Sequence, residues 1–332
     1  MRVSVIVINF NGVSWLHSCL TSVTAQKLDP SISLEVILVD NGSEDESVEF
    51  VRQLDLNILI VESPVNVGFA SGCNLGIRAA TGEVVVLLNN DTRLDEGAIQ
   101  NLFEEMRDRK LDVIAAVEVP YDGGVFEPRR TLIDPLGYAI IRKPSSHGGK
   151  GSSFFLSAAC VMLEKTTYWD SGGLDTSFFM YYEDVDWFWR LTLYGYRFDY
   201  SSKTGVNHFV TGSAHGLKFD YKRFLWRNCN QPRILLKNYR APTLLFIFPV
   251  FCLNYLFEAV VLLAMGRKDL ARSYISALPI LFRNREGTLR DRGVVQRRRT
   301  IGDREILFMM YPGLASASGL WERAKSIKNR SA

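Results

Sequence analysis

The sequence predicts an α/β fold on a mostly parallel sheet, followed by an apolar and basic helical segment. Short apolar runs of strand length alternate with helix-patterned stretches up to about residue 90. Strands that are apolar on both faces belong to parallel sheets covered by helices on either side. The runs also share an ending: Asn9 and Asn11, then Asp40 and Asn41, then Asn89, Asn90 and Asp91 follow apolar stretches. In open α/β sheets that edge is where ligands bind.

The elements follow in order. Residues 3–8 are a strand closing in Asn9-Phe10-Asn11-Gly12, and Trp15, Leu16, Cys19, Leu20 and Val23 mark a helix after it. Residues 34–40 form a second strand ending in Asn41-Gly42-Ser43, with helix signals resuming at Ser47. A third strand covers 56–61. A polar, glycine-bearing loop runs over 66–72, and a helix continues to about Ala80. Residues 84–88 are a fourth strand. The stretch 144–153 has the composition of a loop, and 155–163 returns to a buried strand or strand pair. After a turn at Ser171-Gly172-Gly173-Leu174-Asp175, a helix spans 183–194, and Gly195 stands at its C-terminal stop. Residues 198–201 are a further strand candidate, with His208 beyond it.

Composition narrows the class. The chain has 332 residues, 47% hydrophobic and 23% charged, which describes a folded protein with a sizeable core. Net charge is +3, but from Gly266 onward 15 Lys and Arg face 6 Asp and Glu, so a tail of +9 follows a body of −6. Such asymmetry points to an anionic partner for the tail. The five cysteines are scattered, with no CxxC pair, which argues against a disulfide framework or zinc site and fits a reducing compartment. The N-terminus enters a strand by Val3, so no signal peptide is expected.

Two carboxylates stand in settings that suit chemistry. Asp91 ends an apolar run amid oxygen-bearing side chains, where a hard metal ion would sit. Asp184 lies behind Tyr181 and Tyr182 in a Glu183-Asp184-Val185-Asp186 cluster, where a carboxylate suits a general base. The bland readings stand beside these. Asx residues after strands make turns and caps, and capping accounts equally well for Asn41, Ser43 and Thr92. Acids in a first turn favour the helix dipole, and Asp186 with Arg190 forms an i,i+4 pair. Neither GxGxxG nor GxxxxGK[ST] occurs, so a nucleotide would be held mainly by side chains and a metal.

These residues, in this order over about 3–230, resemble the family 2 glycosyltransferases, and most of all their rhamnosyltransferase-like branch. The resemblance implies a three-layer GT-A fold and inverting transfer from a nucleotide-diphosphate sugar, UDP- or dTDP-linked, to an acceptor hydroxyl. It implies nucleotide contacts from Asn9, Asn11, Asp40, Asn41, Asn66, Gly72, Asn74 and Asn90. Mg²⁺ or Mn²⁺ would lie at Asp91, with Asn89 and His208 as further metal candidates and His215 as runner-up. Asp184 would be the base, with Glu183 as its alternative. Two departures stand out. Asn89 replaces the first Asp of the DxD motif, which weakens metal binding or frees the amide for ribose. Ser157-Ala158-Ala159 replaces the usual Ser-Gly-Ala, adding a methyl expected to narrow the sugar or acceptor pocket.

The remainder, 231–332, reads as a membrane-associated helical region after a catalytic domain at 1–230. Residues 243–265 are nearly apolar and roughly 35 Å long as a helix, enough to span a bilayer. Pro249, Asn254 and Glu258 interrupt that stretch, and a single crossing would export the basic tail. Helices lying in the interface, or a shallow hairpin with 274–282 as second limb, are therefore expected at the cytoplasmic membrane face over about 241–282. The expected acceptor is a glycan or polyprenyl-linked molecule of the cell envelope. A homodimer or helical subdomain is the soluble alternative, and nucleic acid is not an expected partner of Arg297-Arg298-Arg299. The rival readings are a sugar-phosphate nucleotidyltransferase and a non-catalytic membrane scaffold. The first would carry a basic, glycine-rich first turn, and the second would have lost Asp91, Glu183 and Asp184.

Overall fold

The computed structural model of the chain describes residues 1–120, 130–142, 153–209 and 217–313. The sequence-predicted loop at 144–152 and His215 lie outside these. In chain order the body comprises β1 (Arg2–Asn9), α1 (Val13–Thr24), β2 (Ser33–Asp40), α2 (Ser47–Gln53), β3 (Ile58–Glu62), α3 (Phe69–Ala79), β4 (Val84–Asn89) and β5 (Thr92–Leu94). There follow α4 (Ala98–Asp108), β6 (Val113–Pro120), the hairpin β7 (Arg130–Ile133) and β8 (Ala139–Arg142), β9 (Cys160–Glu164), α5 (Lys165–Asp170), α6 (Glu183–Tyr194) and β10 (Phe198–His208). Eight strands form one sheet in the order β3-β2-β1-β4-β9-β6-β10-β5. β9 runs antiparallel between β4 and β6, and β5 pairs antiparallel with β10; the remaining pairings are parallel.

The sheet is apolar on both faces, and alternation along β1 shows why. Val3, Val5 and Val7 face a core layer with Leu16, Leu20, Leu102 and Met106 from α1 and α4. Ile6 and Ile8 face the opposite layer, with Cys73 and Ile77 of α3 and Trp187 and Trp189 of α6. A strand buried on both sides needs no polar alternation.

Several sequence expectations need correction. The third strand begins at Ile58, not at residue 56. α3 begins at Phe69, so Gly72 lies in its first turn and not in the preceding loop. Phe154, Phe155 and Leu156 are buried but irregular, and the strand is only Cys160–Glu164. β10 extends to His208, which belongs to the sheet. The sequence reading also passed over β5 and β6.

Five helices complete the described chain: α7 (Leu217–Asn238), α8 (Ala241–Ala264), α9 (Lys268–Arg283), α10 (Arg285–Arg298) and α11 (Asp303–Met309). Residue 230, where the sequence reading divides the chain, lies inside α7. That helix packs on α6, α9 and α10. Its C-terminal half is joined to α6 by buried charge. Lys237 Nζ lies 2.8 Å from Asp186 Oδ2 and 2.5 Å from Asp175 Oδ2, Arg190 Nε lies 2.8 Å from Asp186 Oδ2, and Asn238 donates to Asp186 Oδ1 at 3.2 Å. The i,i+4 pair of the sequence reading therefore exists, within a larger network. α8 and α9 form a hairpin about the Met265-Gly266-Arg267 turn, with Gly266 at φ +75°.

Removing one member of a buried ion network strands its partners. Lys237→Met should therefore lower unfolding free energy by about 3–5 kcal/mol, measured by denaturant titration. A loss below about 1 kcal/mol would show that Asp175 and Asp186 find other partners. Burial opposes ionisation of Asp175, yet Lys237 and Ser177 hold its carboxyl below the usual range. The stability from this group is therefore present above about pH 4 and lost as pH falls further.

Candidate functional site

Parallel register brings the polar strand ends to one edge. Asn9 is opposite Asp40, and Asn89 is opposite Ile8. The buried Asn9 amide donates to Asp40 Oδ1 at 3.0 Å and to Ser43 Oγ at 3.2 Å, and its oxygen accepts from Asn90 Nδ2 at 2.7 Å. Asp40 accepts from the Ser43 hydroxyl at 2.5 Å and the Ser43 N–H at 3.0 Å. Asn11, at φ +51°, donates its N–H to Ser43 Oγ and accepts from the Glu44 N–H. Ser43, assigned equally to capping by the sequence, thus closes this network.

A second cluster adjoins it. Asn41 accepts from the Val67 N–H at 3.0 Å and donates to Asn66 Oδ1 and Gly68 O, each at 3.2 Å. Gly68 has φ +88°, and a Cβ there would lie 2.4 Å from Phe179 O, so the loop presses against the segment entering α6. Gly72 sits over Ile8 and Asn41. Asn74 is elsewhere. It donates to Leu174 O at 3.1 Å and accepts from the Tyr168 hydroxyl at 2.6 Å, bracing α3 against the turn before α6. Asn89 ends β4, and its carbonyl accepts from the Thr92 hydroxyl at 2.6 Å.

Asp91 follows β4, is 7% exposed and faces β10. Its Oδ1 lies 3.1 Å from His208 Nε2, and His208 Nδ1 lies 3.0 Å from Glu118 Oε2 on β6. Burial works against charge on His208, but hydrogen bonds and charges from Asp91 and Glu118 outweigh it and push its pKa up to about 10. The imidazolium therefore donates from both nitrogens. Glu118 was absent from the sequence reading, although it ends the apolar run 113–117 as Asp91 ends its own.

The residues at Asp91 suit a divalent ion. Carboxylate and imidazole are both ordinary ligands. In the structure their 3.1 Å contact is an N–H···O hydrogen bond, so His208 would have to give up its Nε2 proton before both groups could ligate. Among the described residues no group of three or more His, Cys, Asp or Glu is disposed as a ready metal cage. Asp91 and a deprotonated His208 are the side chains that would hold an ion here.

The carboxylates of α6 are presented by a strained turn. Tyr181 and Tyr182 have φ of +64° and +70°, a region costing non-glycine residues of order 1–3 kcal/mol each. Asn230 of α7 donates to Met180 O at 3.0 Å and Tyr181 O at 2.8 Å, fixing this turn. Glu183 is 8% exposed, and its Oε2 is buried without a partner. Asp184 Oδ1 accepts from the Val185 N–H at 2.7 Å. Burial raises both carboxyls. Asp184's charge raises Glu183 further, and Glu118's adds to Asp184.

Both groups line a cavity of about 500 Å³ that also receives Glu118, Ser157, Tyr138, Tyr181, Tyr182, Tyr200, Arg223 and Arg227. Glu118 thus links this cavity to His208 and Asp91. Ala158, expected to narrow the pocket, is instead buried in the core beneath it, and Ser157 provides the wall.

Comparison with known proteins fits this arrangement. The model of glycosyl transferase family 2 matches residues 4–172. The low-salt glycan biosynthesis hexosyltransferase Agl10 of Haloferax volcanii is 25% identical over 56% of this chain and 60% of its own length. Poly-beta-1,6-N-acetyl-D-glucosamine synthase of Staphylococcus aureus is 24% identical over 77% of this chain and 62% of its own. The chain thus spans less than two thirds of either relative. The mannosyltransferase PcManGT of Pyrobaculum calidifontis, solved with GDP-Man and Mn²⁺, superposes with a TM-score of 0.52 at 17% identity over 87% of each chain. The architecture is GT-A-like, a mostly parallel sheet with a C-terminal helical region. With half its length matched by that family's model, the chain belongs to glycosyl transferase family 2.

Proposed function

We propose that this transferase moves a sugar, with inversion, from a nucleotide-diphosphate donor to an acceptor hydroxyl in the cavity before α6. One observation carries the reading. A single cavity joins the Glu183–Asp184 wall to Glu118, and Glu118 joins it through His208 to Asp91. The ends of a displacement, leaving group and entering hydroxyl, then have separate acidic and metal-binding groups.

The nucleotide would lie along the Asn9–Asp40–Ser43 network and the Asn41–Asn66 cluster, with UDP and dTDP as first candidates. A divalent ion held by Asp91 and His208 would neutralise charge growing on the diphosphate. Asp184 acts as base. It takes the acceptor proton as the acceptor oxygen bonds to the anomeric carbon and the nucleoside diphosphate leaves from the opposite face. Asp184 suits this role better than Glu183 because Glu183 is the more enclosed and lacks a partner at Oε2. The rhamnosyltransferase-like branch belongs to this proposal, supported by the C-terminal helices.

The same reading places the protein on the cytoplasmic face of a membrane, with the α8–α9 hairpin in the lipid interface. α8 is long and apolar enough to cross a bilayer, and little of it is buried. Its polar residues face inward: Asn254 donates to Tyr138 at 2.8 Å, and Glu258 meets Arg227 and Tyr274. Leu245, Phe246, Leu253 and Phe257 of α8 and Ile275 and Phe282 of α9 are exposed, while Lys268, Arg272 and Arg283 supply exposed cations near anionic headgroups. A hairpin held to the body by one face fits shallow insertion better than a single crossing.

Three outcomes are expected. Asp91→Ala should abolish metal-dependent UDP or dTDP binding in calorimetry; unchanged affinity in a folded variant removes the metal assignment. Asp184→Asn should keep donor binding and lower turnover about 10²–10⁴-fold, and in the wild type kcat/KM should fall on acidification with a limb above the usual carboxylate range, since the base must be ionised. A dead Glu183→Gln beside an active Asp184→Asn would exchange the two roles. For the membrane, truncation at 241 is unsuitable because it strips away α10 and α11, whose Val295 and Ile306 lie in the core. The combined Phe246→Ser, Leu253→Ser and Phe257→Ser variant should instead stay folded and no longer float with anionic liposomes. Wild-type protein that ignores such liposomes would make the hairpin a protein interface.

A further inference from the structure

The same cavity carries two basic residues of α7, and part of that charge is unclaimed. Arg227 is committed, with Glu258 at 3.2 Å and the Asn228 side chain at 3.2 Å. Arg223, one helical turn earlier on α7, lines the same cavity but is exposed, its guanidinium 5.8 Å from the Tyr181 ring centroid. Among the described residues no carboxylate pairs with it. Residues four apart share a helix face, so both cations border the space before Asp184. This side is also tied to the hairpin: Arg227 bonds Glu258 of α8 and Tyr274 of α9, and Tyr138 accepts from Asn254. Among the described residues, a guanidinium with no carboxylate partner therefore shares the cavity with the acids and sits one turn from Arg227, which is bonded to the hairpin.

We infer that Arg223 reads an anionic phosphate or diphosphate group on the acceptor, and that the acceptor is an amphiphile whose hydrocarbon chain lies along the α8–α9 hairpin. This deepens the transferase reading and rests on it. Guanidinium forks match phosphate oxygens, and the Tyr181 ring orients the fork. The donor diphosphate is a poorer occupant, because Asp91 and His208, the metal pair proposed to meet it, are not among the residues that line this cavity. Free phosphate and a lipid phosphate share the chemistry; the apolar hairpin selects the lipid.

The test uses the full chain in neutral detergent with saturating UDP and Mg²⁺, so that the donor site is filled. The probes are farnesyl diphosphate, farnesol and inorganic diphosphate, titrated calorimetrically. Farnesyl diphosphate should bind about ten- to a hundredfold more tightly than farnesol. Arg223→Gln should reduce it to the farnesol level, Arg223→Lys should restore part of the difference, and Lys222→Gln should behave as wild type. Equal binding of farnesyl diphosphate and farnesol, or an unaffected Arg223→Gln, overturns the inference. Inorganic diphosphate binding as tightly as farnesyl diphosphate overturns the lipid acceptor. UDP affinity in the same samples separates the two levels: wild-type protein that fails to bind UDP sinks the transferase site itself, whereas intact UDP binding with no lipid-phosphate preference sinks this inference alone.

Discussion

The grip of α7 on the N-terminal end of α6 is the constraint on which the site depends. Tyr181 and Tyr182 adopt backbone conformations that non-glycine residues avoid. The compensation comes from Asn230, which binds two successive carbonyls, and from the Lys237–Asp186 contact a turn further along. With both ends of the turn held, Glu183 and Asp184 emerge together into the cavity. Released from α7, the turn could relax, and the carboxylates would lose their place relative to β6 and β10. Asn230, Arg233 and Lys237 project from one side of α7, so a single helix face carries this restraint. Arg233 extends it by bonding Ser177 O at 2.7 Å.

The same helix makes the C-terminal segment part of the site. Arg227, on α7, bonds Glu258 and Tyr274 while bordering the cavity. α8 is consequently two-sided in a manner that composition conceals. Asn254 and Glu258 are consumed by the body alongside Phe251 and Leu262, while Leu245, Phe246, Leu253, Leu256 and Phe257 face outward. In a soluble helix the reverse orientation is the rule. An exposed apolar face on a helix anchored by its other side fits the lipid interface proposed for it, and the basic residues at the hairpin turn fit the charged boundary of that interface.

Much of the sheet was legible because its signals are local. Strands buried on both faces print as continuous apolar runs, and their parallel register then forces Asn9, Asp40 and Asn89 onto one edge. The carboxylates at Asp91 and Glu183–Asp184 were visible for the same reason, being polar interruptions at element ends. What escaped notice depends on contacts distant in sequence. Glu118 gains meaning only when β10 carries His208 beside it, and Asn230 only when α7 lies across α6. Asn74 is the opposite case. Its place after a glycine-bearing loop resembles a ligand position, but Tyr168 and Leu174 occupy its amide. Arg223 gave no local signal at all, since a basic residue on a helix is ordinarily solvated surface.

The two adjoining acids of α6 also show how environment separates similar groups, and the base proposed at Asp184 rests on that separation. Both carboxyls are pushed up by burial, so two adjacent full charges are disfavoured and one proton is preferentially retained between them. Glu183 is the better holder of that proton. It lies deeper, its Oε2 meets no donor, and the charge of Asp184 opposes its own ionisation. Asp184 has the fuller compensation, since the backbone N–H groups of Val185, at 2.7 Å, and of Asp184 itself both stabilise its charged form, against one for Glu183. A protonated Glu183 then keeps Asp184 from facing a second negative charge while leaving it raised by burial. A carboxylate raised in this way is a stronger base than an exposed one yet still ionises, which is the balance proton abstraction from a hydroxyl requires. The turn held by Asn230 thus positions the pair, and the unequal burial of its members supports the division of labour proposed for them.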